Sequence, residues 1–253
     1  MQERPEHPHY IEFVHVDKSF ERPILIDCSF HLDRGNTLAI IGRSGVGKSV
    51  TLGHLMGFLK PDEGRVIVAH EDITDYPEGE LNRIRKRVTM VFQSGALFDS
   101  LTVAENVAFA LEDTDETRRN IDEVVRGLLE MVDIPDYKDA LPSELSTGVK
   151  RAVAIARALA AQPEAILYDE PTTMVDPPTS DHIADLIRRL KEQLRLTSIV
   201  VTHDLKLLRK VADTVVFLHE GRVIFFGSLE ELERCEEPNI QEFLALDRFQ
   251  PVA

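Results

Sequence analysis

The sequence predicts an α/β fold built on a largely parallel sheet. Three observations carry this. Short apolar runs at residues 165–168, 198–201 and 215–218 alternate with helical patterns at 180–194 and 204–211. That order implies parallel strands joined by crossover helices. The apolar run Thr37-Leu38-Ala39-Ile40-Ile41 passes through a glycine-rich turn directly into a helical pattern at 49–55. Upstream, residues 10–16 and 24–32 alternate apolar and polar side chains as strands do.

The elements follow in order. Two early strands lead into the strand at 37–41, and further strands are predicted at 64–68 and 88–92. Between residues 96 and 162 the character changes. Stretches 103–111, 118–132 and 149–161 carry apolar residues at helical spacing, punctuated by Pro135 and Pro142. Strands then return at 165–168, 198–201 and 215–218. Gly221 turns a last hairpin into 222–226. Ser228, with Glu230 and Glu231 behind it, starts a helical tail in the manner of an N-cap.

Composition narrows the function. The 253 residues, 43% hydrophobic and 29% charged, suit one large domain with an inserted lobe. A net charge of −15 argues against a protein that coats nucleic acid, which needs a basic surface. Much of that charge is expected on solvated helix faces such as residues 112–116. The two cysteines, Cys28 and Cys235, have no metal spacing and form no disulfide framework. Residues 1–14 lack an apolar signal core, and no apolar run approaches the ~20 residues that span a bilayer. A cytoplasmic protein is expected. Any membrane work would need a second chain.

Gly42-Arg43-Ser44-Gly45-Val46-Gly47-Lys48-Ser49 matches the phosphate-binding pattern G-x-x-x-x-G-K-[ST] in full. Glycines let the backbone wrap a polyphosphate, and the following helix adds free N–H donors and its positive dipole end. Lys48 can reach the β- and γ-phosphates, and the Ser49 hydroxyl can ligate Mg2+. A chance glycine-rich turn is the competing reading; the strand before it and the helix after it weigh against that.

Ala165-Ile166-Leu167-Tyr168-Asp169-Glu170 is an apolar strand ending in two carboxylates. Such a strand presents its C-terminal end at the ligand crevice of an α/β sheet. Asp169 suits water-mediated Mg2+ coordination, and Glu170 suits the base that orients the attacking water. A solvated strand end is the commoner cause of such a pair when it stands alone. Leu145-Ser146-Thr147-Gly148-Val149 precedes a helix, with Ser146 as a natural N-cap and Gly148 open to an anion.

This set of motifs, in this order, resembles the ATP-binding subunit of an ABC transporter across about residues 11–227. The resemblance implies a P-loop NTPase (RecA-like) core with a mixed sheet, an N-terminal antiparallel β subdomain and an inserted α-helical subdomain. The core would take residues 1–95 and 163–227, the helical subdomain 96–162 and the tail 228–253, all within one ATPase domain. It implies that ATP sits on Gly42, Arg43, Ser44, Gly45, Val46, Gly47, Lys48, Ser49 and Val50, with Phe20 stacked on adenine. A core phenylalanine is the other reading of Phe20. Gln93 is expected at Mg2+ and the attacking water, His203 at the γ-phosphate, and Glu170 as the base. Ser49, Gln93 and Asp169 would serve the metal. Two copies would close head to tail, so that Ser146, Thr147, Gly148 and Asp176 meet the partner's ATP. Permease subunits complete the expected assembly, on the inner face of the cytoplasmic membrane.

Two departures stand out. The family signature carries two adjacent glycines and then a glutamine, where this chain has Thr147 before Gly148 and Val149 after it. Thr173-Met174-Val175 is an atypical lead-in to Asp176. Residues 93–107 and the tail segment 238–244 are similar to the ATPases of Mla and Mce lipid-transport systems, which would add a single-span MCE-type lipid-binding partner. The same coupling segment is shared loosely with ATPases that import amino acids and other small solutes. The tail also fits a packed terminal helix. A non-transport ABC ATPase acting on DNA or ribosomes is disfavoured by the single domain and the acidic charge.

Overall fold

The computed structural model describes residues 7–111 and 115–248. Residues 112–114 of the acidic run, and the ends of the N-terminal and tail predictions at 1–6 and 249–253, lie outside them. In chain order the elements are β1 (Ile11–Ser19), β2 (Pro23–Leu32), β3 (Thr37–Ile41), α1 (Lys48–Leu55), β4 (Glu63–Val68), β5 (Glu71–Asp72), α2 (Glu78–Arg87) and β6 (Val88–Val91). Then come α3 (Val103–Ala108), α4 (Asp115–Met131), α5 (Thr147–Ala160), β7 (Ala165–Asp169), α6 (Pro177–Leu194) and β8 (Thr197–Val201). The chain continues through α7 (Leu205–Val211), β9 (Thr214–His219), β10 (Arg222–Ser228), α8 (Leu229–Arg234) and α9 (Pro238–Arg248).

Two sheets result. β2-β1-β4-β5 form an antiparallel sheet. β10-β9-β3-β8-β7-β6 form a mixed one, parallel throughout except for β10 against β9. The α/β class and the mixed-plus-antiparallel sheet arrangement are as expected. The parallel strands are near-continuous apolar runs because both faces of their sheet are covered. In β3, Leu38 and Ile40 enter the core shared with the antiparallel sheet and α1, whereas Ala39 and Ile41 pack toward α7, α8 and α9. In β7, Ala165 and Leu167 join the first of these cores, and Ile166 and Tyr168 face the helices α3 to α6. The period of two in the side chains thus divides each strand between two cores.

The differences from expectation are local. Helix α2 is an addition: its only buried residues are Leu81 and Ile84, too few to show a helical apolar stripe. α6 starts at Pro177 rather than 180, because Asp176 caps it and proline is well placed in a first turn. The stretch predicted helical to 111 stops at Ala108. The tail is a packed terminal helix, with Ile240 and Phe243 buried and the Phe243 ring edge-on to Phe217 at 5.2 Å.

Candidate active site

The loop between β3 and α1 is shaped by two glycines. At Gly42, φ is +147° and an added Cβ would lie 2.3 Å from the Leu218 carbonyl oxygen, on the adjacent strand β9. At Gly47, φ is +111° and a Cβ would meet Leu25 Cδ2 at 2.7 Å. The loop is therefore clamped between β9 and the start of β2 in a path that side chains forbid. Beside it runs a groove of about 410 Å³ that includes Arg22, Arg43, Ser44, Gly45 and Val46. Arg22 and Glu220 both line it, and the Arg43 guanidinium pairs with Glu242, so the groove carries charges of both signs.

Lys48 begins α1 with its side chain 8% exposed. Its ammonium donates to the carbonyls of Gly42 and Arg43, at 2.8 and 3.1 Å. It also lies 3.6 Å from Glu170 Oε1. Burial pulls the Lys48 pKa down, and the charges of Glu170 and Asp169 counter only part of that. The Ser49 hydroxyl donates to Asp169 Oδ1 at 3.4 Å.

β7 delivers Asp169 and Glu170 to the same crevice. Glu170 leaves the strand at φ +47°, and its N–H donates to the Val201 carbonyl at 2.9 Å. Its Oε2 lies 2.8 Å from His203 Nδ1 and accepts from the Thr173 hydroxyl at 3.1 Å. Burial alone would raise the Glu170 pKa. The bond from His203, the nearby Lys48 charge and the Thr173 hydroxyl outweigh it and hold the carboxyl below the usual glutamate range. Reciprocally, the bond to Glu170 raises His203, against its partial burial. Asp169 moves the other way: burial and the Glu170 charge push it up, with Ser49 and Lys48 opposing. Asp204 fixes the His203 segment. It caps α7 and accepts from the hydroxyls of Thr172 and Ser180, at 3.1 and 2.9 Å.

Lys48, Ser49, Asp169, Glu170 and His203 are thus brought together. Val50 is half-buried in the first turn of α1, beside them. Gln93 sits two residues beyond β6, whose Val91 pairs with Tyr168, so it emerges beside the end of β7 with an exposed side chain. Phe20 is 58% exposed at the β1–β2 turn, with Lys18 Nζ 5.6 Å from its ring centre, so it is no core phenylalanine. The Arg43 side chain points to α9 and pairs with Glu242 at 2.6 Å.

The signature residues stand apart. Ser146 caps α5 by accepting from the Val149 N–H at 3.3 Å, and Thr147 is exposed. Among the described residues, no hydrogen bond or ion pair joins 145–149 to 42–50. Asp176 caps α6, accepting from the Thr179 N–H and hydroxyl at 3.1 and 2.7 Å, and is likewise exposed.

Side chains that the motif reading passed over hold the segment around Gln93. Buried Asn106 accepts from the Phe98 N–H at 2.8 Å and donates to the carbonyls of Phe98, Leu101 and Thr102. Arg157 donates to the carbonyls of Ala96 and Gly95, at 2.8 and 2.9 Å. Arg157 lies in a stretch that reads simply as helical, and Asn106 lies in the 93–107 coupling segment without a role of its own there. The signal for Arg157 is a single charge in the otherwise apolar run that follows Arg151 in α5.

A phosphate loop, a strand ending in two carboxylates and a histidine on that carboxylate make a nucleotide-hydrolysing crevice. A family model described as ABC transporter matches residues 25–173. The chain belongs to the ABC transporter family. Among relatives of this ABC ATPase, a methionine import ATP-binding protein MetN 1 of Yersinia pestis bv. Antiqua is 35% identical over 240 residues, 92% of this chain and 70% of that protein. The corresponding protein of Rhodopseudomonas palustris (strain BisB5) is 40% identical over 210 residues, covering 83% of this chain and 57% of its own length. Among solved structures, cbiO1 from Clostridium perfringens, part of the ABC transporter complex cbiONQ, superposes with a TM-score of 0.83 at 30% identity, covering 95% and 96% of the two chains. The ATP-binding cassette MJ0796, dimeric and bound to ADP and Pi, gives 0.76 at 31% identity, covering 87% and 98%.

Membership makes this chain an ATP-binding and ATP-hydrolysing subunit. The finer likeness to Mla and Mce lipid-transport ATPases finds no support here, since these relatives are methionine importers. The tail segment that suggested it packs on the chain's own core.

Proposed function

We propose that two copies of this chain close head to tail around ATP and drive a permease that imports an amino acid or comparable small solute. The observation that carries the two-copy reading is the half-built site. Lys48, Ser49, Asp169, Glu170 and His203 face one another, while Ser146, Thr147, Gly148 and Asp176 stand elsewhere with no link to the phosphate loop among the described residues. The methionine import relatives and the dimeric MJ0796 structure support the solute class and the pairing. The division into core 1–95 and 163–227, helical subdomain 96–162 and tail 228–253 belongs to the same proposal. So does a position on the inner face of the membrane: among the described residues no helix is long and apolar enough to cross one.

In this reading ATP draws Lys48 from the Gly42 and Arg43 carbonyls to the β- and γ-phosphates. The backbone of residues 42–50 wraps the phosphates, and Phe20 meets the adenine. The donors beside them suit Mg2+, a hard ion that takes hydroxyl and carboxylate oxygens and retains several waters. Ser49 and Asp169 would hold it with Gln93, and bound Mg2+ would neutralise charge on the β- and γ-phosphates. Burial and then the Glu170 charge raise the Asp169 pKa, and a cation placed beside it would offset both. Glu170, kept ionised by its neighbours, takes a proton from the attacking water, while His203 orients it and contacts the γ-phosphate. Ser146, Thr147, Gly148 and Asp176 of each copy close on the nucleotide of the other.

The test is to cross-link the tagged chain in native membranes and identify its partners. A permease together with a solute-binding protein supports the proposal. A permease with a single-span lipid-binding protein would replace solute import by lipid transport. Ribosomes or nucleic acid with no membrane protein would overturn transport altogether.

A further inference from the structure

Arg151 lies on α5, five residues beyond the Ser146 cap, and is 5% exposed. A guanidinium stays charged in a protein and needs its donors matched. Among the described residues Arg151 has no carboxylate partner, and its Nε has no acceptor. Its other two nitrogens donate only to backbone: Nη1 to the Phe92 carbonyl at 3.3 Å and Nη2 to the Thr173 carbonyl at 3.4 Å.

Those two carbonyls are informative. Phe92 immediately precedes Gln93. Thr173 is the residue whose hydroxyl donates to Glu170 Oε2 at 3.1 Å, three residues before Asp176. One rigid, planar fork therefore ties the signature helix to both walls of the catalytic crevice. A movement of α5 must shift the backbone at Phe92 and Thr173 or break these bonds, and breaking them strands a buried charge.

We propose that Arg151 is a positioning residue that couples the signature of each copy to that copy's own catalytic crevice, by holding Gln93 and Glu170 in register with α5. This rests on the two-copy reading. A nucleotide on the partner engages Ser146 and Gly148, α5 responds, and Arg151 passes the displacement to Gln93 and Glu170. The two sites are thereby linked through a contiguous chain of bonds.

The test uses the purified full chain as parent, R151Q and R151K. ATP affinity, the kcat–KM split, the Hill coefficient of hydrolysis and the melting temperature are measured for each. In R151Q, kcat is expected to fall about tenfold while ATP affinity changes by less than about twofold. Its Hill coefficient is expected to drop toward about 1 from a higher parental value. R151K retains the charge but not the two-pronged fork, so it gives an intermediate kcat with the same loss of cooperativity. It also serves if R151Q does not fold. A lower melting temperature with kcat and Hill coefficient unchanged would mark Arg151 as a packing residue and overturn the inference. ATP-induced dimerisation of E170Q separates the two levels. If E170Q dimerises and the Arg151 variants behave as the parent, the coupling alone fails. If E170Q stays monomeric and the parent is non-cooperative, the two-copy reading fails and takes the coupling with it.

Discussion

Replacing Glu170 by glutamine removes the negative charge and leaves the shape. The carboxylate is 13% exposed and has three partners: His203 at 2.8 Å, the Thr173 hydroxyl at 3.1 Å and Lys48 at 3.6 Å. As a general base it is worth about 10²–10⁴ in rate, so kcat of E170Q is expected to fall by about 10³. Lys48 and the loop remain, so ATP binding persists and the closed pair of copies accumulates.

Stability should change with a definite pH signature. His203 is raised above the ordinary 6.5, so its share of the pairing is complete below that value and fades as pH rises through its folded pKa. Glu170 is depressed below the ordinary 4.5, so its share is present above that value and lost as pH falls through its folded pKa. The parent's advantage over E170Q is therefore greatest between about pH 4.5 and 6.5 and narrows on the alkaline side. A charge-assisted bond can reach about 1.5–3 kcal/mol, but His203 is 60% exposed and solvent screening reduces this to about 1 kcal/mol. Urea unfolding of both proteins across the pH range measures the gap directly. A gap that widens toward pH 9, or an E170Q that hydrolyses ATP at the parental rate, would refute the assignment.

Three further outcomes are expected. Gly42→Ala places a Cβ 2.3 Å from the backbone oxygen of Leu218 at a φ that disfavours side chains, costing about 3 kcal/mol and abolishing ATP binding; parental affinity in a nucleotide titration would show that the loop yields. Asp176→Ala removes the α6 cap and lowers stability by about 1 kcal/mol, whereas Asp176→Asn keeps it, because asparagine caps as well. Chemical denaturation of both variants decides whether Asp176 acts as a cap, and ATPase assays on the stable asparagine variant isolate its charge. Thr147→Gly frees the exposed first residue of α5 for closer phosphate approach and should raise kcat, with a small loss of melting temperature from the added glycine. An unchanged rate would show that the threonine is already accommodated.

The fold was legible because its signals are local. β3, β7 and β8 are covered on both faces and so announce themselves as unbroken apolar runs, and the glycines at 42 and 47 stand where backbone and side-chain atoms leave no room for a Cβ. α2 escaped notice for the opposite reason: it is a polar helix resting on two buried side chains. The phosphate loop and the Asp169–Glu170 pair were legible for the same local reason, since strand, turn and helix are adjacent in sequence.

The rest of the site was not local. Arg151 and Arg157 fall within the stretch 149–161, whose apolar spacing shows a helix but gives its charges no role, since a charge in a helical pattern is usually solvated. Yet α5 buries Ala152, Val153, Ala154, Ile155 and Ala156 in succession, so it has little wet edge between its two arginines. Any arginine there must find acceptors in the fold, and the free carbonyls lie in the segments after β6 and β7, where strand pairing has ended. The rule is general: a helix apolar all round obliges its few charges to serve the backbone beside it. The signature shows the limit of the same logic. Ser146 and Thr147 satisfy their own helix start and face solvent. Nothing within one chain specifies what they meet; in the proposed pair of copies, the group that completes them is carried by the other one.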